Sequence, residues 1–126
     1  MSKEVVKSEN APEAIGPYSQ AVKSNGFVFC SGQVPFDPKT MELISGTVTE
    51  ETQRCMKNLS AVLEAAGSSL DDIVKTTIYV TNMDDFAEVN EAYGAFFTSD
   101  PPARATVGVA ALPKGARVEI ECVARG

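Results

Sequence analysis

The side chains with the greatest chemical reach lie in residues 101–121, PPARATVGVAALPKGARVEIE, which read as two short strands joined by an Ala-Ala-Leu-Pro-Lys-Gly turn. This stretch places a cation, Arg104, and a carboxylate, Glu119, in otherwise strand-like sequence. A guanidinium can hold a substrate carboxylate, and a carboxylate can take a proton from a hydrolytic water. An Arg and a Glu in strands are more often a solvated pair than an active site, so the rest of the chain has to decide between the two. Alternation places Arg117, Glu119 and Glu121 on one face, with Val118, Ile120 and Cys122 on the other. Neighbouring carboxylates could raise one carboxyl pKa towards neutrality, as a general base requires. The plain alternative is a solvated face balanced by Arg117.

Two further positions could serve a small ligand. Tyr18 sits in Gly-Pro-Tyr, a stiff loop, where its ring either covers nearby core or presents a phenol to substrate. Gly32, in Ser-Gly-Gln, either allows a ligand close to the backbone or simply ends a strand, and strand ending is the simpler reading.

Other chemistries lack their residues. The chain contains no histidine, which removes Ser-His-Asp and Cys-His catalysis and most zinc and transition-metal sites. Neither a phosphate-binding glycine motif nor a calcium loop is present, so the reading is of a protein without metal or cofactor. Cys30, Cys55 and Cys122 are odd in number and widely spaced in apolar contexts, which fits buried free thiols in a reducing compartment. A net charge of −6 without a Lys/Arg cluster argues against nucleic acid as the main partner. No long apolar run suggests a membrane span, and residues 1–20 lack the pattern of a secretion signal or a transit peptide. The expectation is a cytoplasmic protein, or a mitochondrial one if a longer precursor exists.

The elements that must position these residues follow from periodicity. Residues 3–7 form a strand candidate, and 8–19 an irregular segment with two prolines. Asn25-Gly26 between apolar runs predicts a hairpin of strands 20–24 and 27–31, after which Pro35 and Pro38 force a loop and 41–47 offers a short extended piece. Thr47-Val48-Thr49-Glu50 has the form of a capping box, and helical spacing from Cys55 to Ala66 predicts a helix over 50–66 stopped by Gly67. Residues 73–81 alternate, with Val74, Thr76, Ile78 and Val80 on one face. A second helix is predicted over 84–97, capped by Asn82, with Phe86 and Asn90 as surface neighbours.

At 126 residues with ordinary globular composition, the chain reads as one domain, 1–126, of α+β class. The sheet should be mixed, because the order supplies both hairpins and helical crossovers. Two helices cover only one of its faces, and the uncovered face points to self-association.

Several separated motifs together resemble a known family. Ala-Ile-Gly-Pro-Tyr-Ser-Gln at 14–20, Ser-Gly-Gln at 31–33, Val-Lys-Thr-Thr at 74–77, Asp-Phe-Ala-Glu-Val-Asn at 85–90, Pro-Ala-Arg at 102–104 and Ala-Leu-Pro-Lys-Gly-Ala-Arg-Val-Glu-Ile-Glu at 111–121 are similar, in order, to the RidA (YjgF) reactive intermediate deaminases. The resemblance implies a chorismate mutase-like fold and a homotrimer with sites in the clefts between subunits. It implies hydrolysis of 2-imino acids and their enamine tautomers, such as 2-aminoacrylate, to 2-oxo acids and ammonia. Carried onto this chain, Arg104 would bind the substrate carboxylate, Glu119 would position or activate water, and Tyr18, Phe86 and Asn90 would line the cleft. The Gly32 backbone would touch substrate. Where some members have Cys, this chain has Thr106, whose backbone can still donate a hydrogen bond. Two other readings stand beside this one: a non-catalytic trimer that binds 2-oxo acids or related metabolites, and a ribonuclease or translation inhibitor.

Overall fold

The computed structural model describes residues 2–126. Six strands form one sheet: β1 (Glu4–Val6), β2 (Ala21–Ser24), β3 (Phe27–Gln33), β4 (Ile73–Val80), β5 (Ala103–Gly108) and β6 (Val118–Arg125). Their spatial order is β1-β2-β3-β6-β4-β5. Only β4 and β5 run parallel; every other neighbouring pair is antiparallel. The expected mixed sheet is therefore present. The two strands of residues 101–121 do not pair with each other, because β6 inserts between β3 and β4 while β5 takes the outer edge beside β4.

Local chemistry sets the connections. Asn25 and Gly26 have φ of 54° and 80°, the left-handed pair that a two-residue hairpin between β2 and β3 requires. Helix α1 (Val48–Ala65) begins at the Thr47 cap, with the Glu50 amide donating to Thr47 Oγ1 at 3.1 Å and the Thr47 amide donating to Glu50 Oε1 at 2.9 Å. Gly67, at φ 80°, lets the chain turn away after the last helical turn. The expected 84–97 helix is shorter: a 3₁₀ turn at Met83–Asp85 leads into α2 (Phe86–Gly94). Asn82 caps this turn, its side-chain oxygen accepting from the Asp84 amide at 2.9 Å.

The apolar stripe of α1, Cys55, Met56, Leu59, Val62 and Leu63, is wholly buried against one face of the sheet, where it meets Val28, Ile78, Val80, Val118 and Ile120. Each such large aliphatic side chain contributes roughly 1.5–3 kcal/mol by leaving water. All three cysteines are free and buried, as their apolar contexts predict. Arg117 does not balance the Glu119 face. Its Nε donates to Glu51 Oε2 of α1 at 2.7 Å and one Nη donates to the Gly46 carbonyl at 2.7 Å, tying the start of β6 to the helix.

One expected alternation fails. Val74 is expected on one face with Thr76, Ile78 and Val80, yet it is exposed while those three are buried, and Ile73 is buried in its stead. The β4–β6 register shifts between Ile73 and Lys75, and this irregularity offsets the first residues of the strand from the 76-78-80 series.

Among the described residues no helix covers the second face of the sheet. Cross-strand pairing aligns Val5, Val22, Phe29, Val123 and Lys75 in a single row across it, with Val5 and Phe29 exposed and Phe27 exposed beside them. Among the described residues no helix is long and apolar enough to cross a membrane.

Candidate active site

Arg104 lies on β5 directly beside Thr76 of β4. Thr76 is fully buried and its hydroxyl meets the Tyr93 hydroxyl of α2 at 2.7 Å, so Arg104 shares the helix-covered face. There α2 presents Phe86, Asn90 and Tyr93, residues i, i+4 and i+7 on one side of the helix. Arg104 Nη1 donates to Asn90 Oδ1 at 2.6 Å, and the guanidinium carbon lies 5.7 Å from the Phe86 ring centre and 5.4 Å from that of Tyr93. Two aromatic faces and one amide thus fix the cation without neutralising it. Among the described residues Arg104 has no carboxylate partner, whereas Arg117 and Arg125 pair with Glu51 and Asp72. Its remaining guanidinium donors are available to an anion. Thr106, two residues further along the same face of β5, holds a buried hydroxyl with no hydrogen-bond partner among the described residues.

Glu119 belongs to the opposite face. It pairs across β6–β4 with Tyr79, whose hydroxyl donates to Glu121 Oε1 at 2.5 Å. On the other side β3 carries a bulge, since Cys30 pairs with Cys122 while Gln33, and not Gly32, pairs with Ile120. The Glu119 carboxylate fills the space beside Gly32: a Cβ built there would stand 2.0 Å from Glu119 Oε2. Gly32 is therefore required by Glu119, and the strand-ending reading understates it. Burial raises the Glu119 pKa above its ordinary value of 4.5, and the charge of Glu121 adds to the rise. The carboxylate pair does act in the expected direction, although desolvation is the larger cause.

Tyr18 joins the Glu119 side through backbone. Ser31, next to Gly32, donates from its amide to the Gln20 carbonyl at 2.9 Å and from its hydroxyl to the Ser19 carbonyl at 2.6 Å. Buried Gln20 pins the preceding loop, accepting from the Ser8 amide at 2.6 Å and donating to the Pro12 carbonyl at 2.7 Å. The Tyr18 ring is exposed, its hydroxyl accepts from the Ile15 amide at 3.3 Å, and it borders a cleft of about 240 Å³ with Val6, Ser8, Glu13 and Gln20.

The expected residues therefore fall into two groups within one chain. Arg104, Asn90, Phe86 and Thr106 form one at the β5 edge; Glu119, Gly32 and the Tyr18 loop form the other. Arg104 and Glu119 stand two strands apart, three residues apart in register and on opposite faces, a backbone separation of about 14 Å by strand geometry. Their side chains cannot meet on a common small molecule through the sheet. Sequence reading does not single out Tyr93, which the structure makes a wall of the Arg104 site. Its spacing of three from Asn90 and seven from Phe86 was the available signal. Sequence reading does not single out Tyr79 either, since its bond to Glu121 depends on strand pairing that spacing does not reveal.

This fold agrees with those of known proteins. Residues 8–125 match the family described as endoribonuclease L-PSP. A human 2-iminobutanoate/2-iminopropanoate deaminase is 48% identical over 120 residues, covering 95% of this chain and 88% of that protein. Among solved structures, the Rid family protein YyfA from Yersinia pestis is 48% identical with a TM-score of 0.96, covering 99% of this chain and 100% of that one. TdcF from E. coli, solved with bound serine, is 40% identical with a TM-score of 0.93, covering 98% of each chain. The chain belongs to the endoribonuclease L-PSP family, which is the family of the YjgF/RidA proteins.

Proposed function

We propose that the protein is a 2-iminobutanoate/2-iminopropanoate deaminase, hydrolysing imines and enamines such as 2-aminoacrylate to 2-oxo acids and ammonia without a cofactor, and working as a homotrimer. The observation that carries this reading is the held but unneutralised cation of Arg104, framed by Phe86, Asn90 and Tyr93. An α-carboxylate is the complement of that fork. The deaminase name of a human protein 48% identical to this chain supports the reaction, and serine bound to TdcF supports a small amino or imino acid as ligand.

In the reaction as proposed, Arg104 takes the substrate carboxylate, the Thr106 backbone donates a hydrogen bond, and Phe86 and Asn90 flank the bound molecule. Water adds to the imine carbon as Glu119 accepts its proton, which the raised proton affinity of that carboxylate favours. The carbinolamine then expels ammonia, the proton passing to nitrogen and the oxygen becoming the 2-oxo group. Tyr18 and the Gly32 backbone border the reacting carbon. Because imines hydrolyse readily in water, orientation and one placed water are sufficient chemistry. The Arg104 group of one copy meets the Glu119 group of a neighbour, the uncovered sheet face supplying the contact between copies. An RNA substrate fits this chain poorly, given its net charge of −6 and lack of histidine.

The test couples the protein to a threonine dehydratase and follows 2-oxobutanoate formation. Acceleration over the dehydratase alone is expected, with Arg104→Ala losing nearly all of it while keeping the wild-type circular dichroism spectrum. Saturable ligand binding without ammonia release would contradict the reading.

A further inference from the structure

Tyr79 is a polar side chain on the sheet face that carries Glu119, and the proposed chemistry has no use for it. It stands directly opposite Glu119 across the β4–β6 pairing, and its hydroxyl hydrogen-bonds Glu121, two residues along from Glu119 on the same face. Two carboxylates so placed repel, and a half-buried glutamate free to move would turn its charge to water, where the interaction is screened. The phenol prevents this by holding the Glu121 oxygen at 2.5 Å.

We infer that Tyr79 is a positioning residue for the proposed hydrolysis: its hydroxyl anchors Glu121 beside Glu119, and the anchored charge keeps Glu119 ready to accept the proton of water. This rests on the reading of Glu119 as the group that activates water. The other titratable groups around Glu119 are few. Lys75 lies on the same face further along β4, in register with Val123. Cys55 of α1 lies across the sheet and is held protonated by burial, while Arg117, at the start of β6, is engaged by Glu51. On the covered face, β3 brings Cys30 beside Cys122 of β6, both buried. Glu121 is thus the charge best placed to act on Glu119, in keeping with its part in raising the Glu119 pKa. Loss of the phenol also strips one hydrogen bond from Glu121, which leaves its charge more fully expressed, but that effect reaches Glu119 only at second remove. Release of Glu121 to solvent outweighs it.

The test is a double-mutant cycle with two readouts: the titration midpoint of the Glu119 carboxyl carbon by NMR, assigned by its absence in Glu119→Gln, and the pH profile of kcat/KM in the imine hydrolysis assay. Glu121→Gln is expected to lower the midpoint and the acid limb together by about half a pH unit or more. Tyr79→Phe should move both in the same direction, and should move neither further in the Glu121→Gln background. An unmoved midpoint in Tyr79→Phe, or an equal shift in both backgrounds, would overturn the inference. So would midpoints that move while the activity profile stays in place. A wild-type protein with no imine hydrolysis at all would instead defeat the deaminase reading beneath it.

Discussion

At Gly32 the site leaves no room for a side chain. The Cβ of an alanine would stand 2.0 Å from Glu119 Oε2 and 2.9 Å from its carboxyl carbon, so the carboxylate must move. The backbone of Gly32 is not in the left-handed region, so the cost falls on the position of Glu119 and not on the strand. Gly32→Ala is therefore expected to lose on the order of 10²-fold in kcat through misplacement of the proposed base, Glu119, with a melting temperature close to wild type. Thermal melts alongside the coupled assay check this, and retained activity would contradict the role given to Glu119. At this scale the sequence was only partly legible. Arg104 and Glu119 stood out because they interrupt apolar strands, and the family motifs singled out Gly32. The reason for Gly32 was hidden, since it depends on a bulge that brings β3 against a side chain nearly ninety residues later in the chain.

Elements were legible where their signals are local. The capping box of α1, the Asn25-Gly26 hairpin and the Asn82 cap each depend on residues within one turn of one another; the first two form as read, and Asn82 caps the 3₁₀ turn that leads into α2 in place of the helix itself. Thr47→Ala removes one acceptor of the capping box and is expected to cost about 1 kcal/mol, lowering the melting temperature by roughly 3–5 °C for a domain of this size. No change on differential scanning calorimetry would mean that packing alone fixes the helix start. Signals that depend on pairing were not legible. The turn between β5 and β6 says nothing about which strands flank each one, and the insertion of β6 between β3 and β4 is settled by long-range burial. The offset that exposes Val74 is of the same kind, because strict alternation cannot reveal a register shift.

For the whole molecule, the decisive feature is that the sheet separates the two groups of the proposed site. The cation faces α2 at one edge, while the carboxylate lies on the face that no helix covers. In the proposed function, the carboxylate-and-water site is completed by setting the β5 edge of one copy against the Glu119 side of another. The exposed row through Val5 and Phe29 gives such an assembly apolar surface to bury. Composition and helix count foretold an uncovered face, but not that Arg104 and Glu119 would fall on opposite sides of the sheet. That division makes the account testable by mixing two inactive proteins, Arg104→Ala and Glu119→Gln. After joint denaturation and refolding of equal amounts, a site drawing Arg104 from one chain and Glu119 from the next is intact in about a quarter of random pairings, by the symmetry of a ring. The account predicts recovery of about that fraction of wild-type imine hydrolysis in the mixture and none in either variant refolded alone. A mixture as inactive as its components would contradict it.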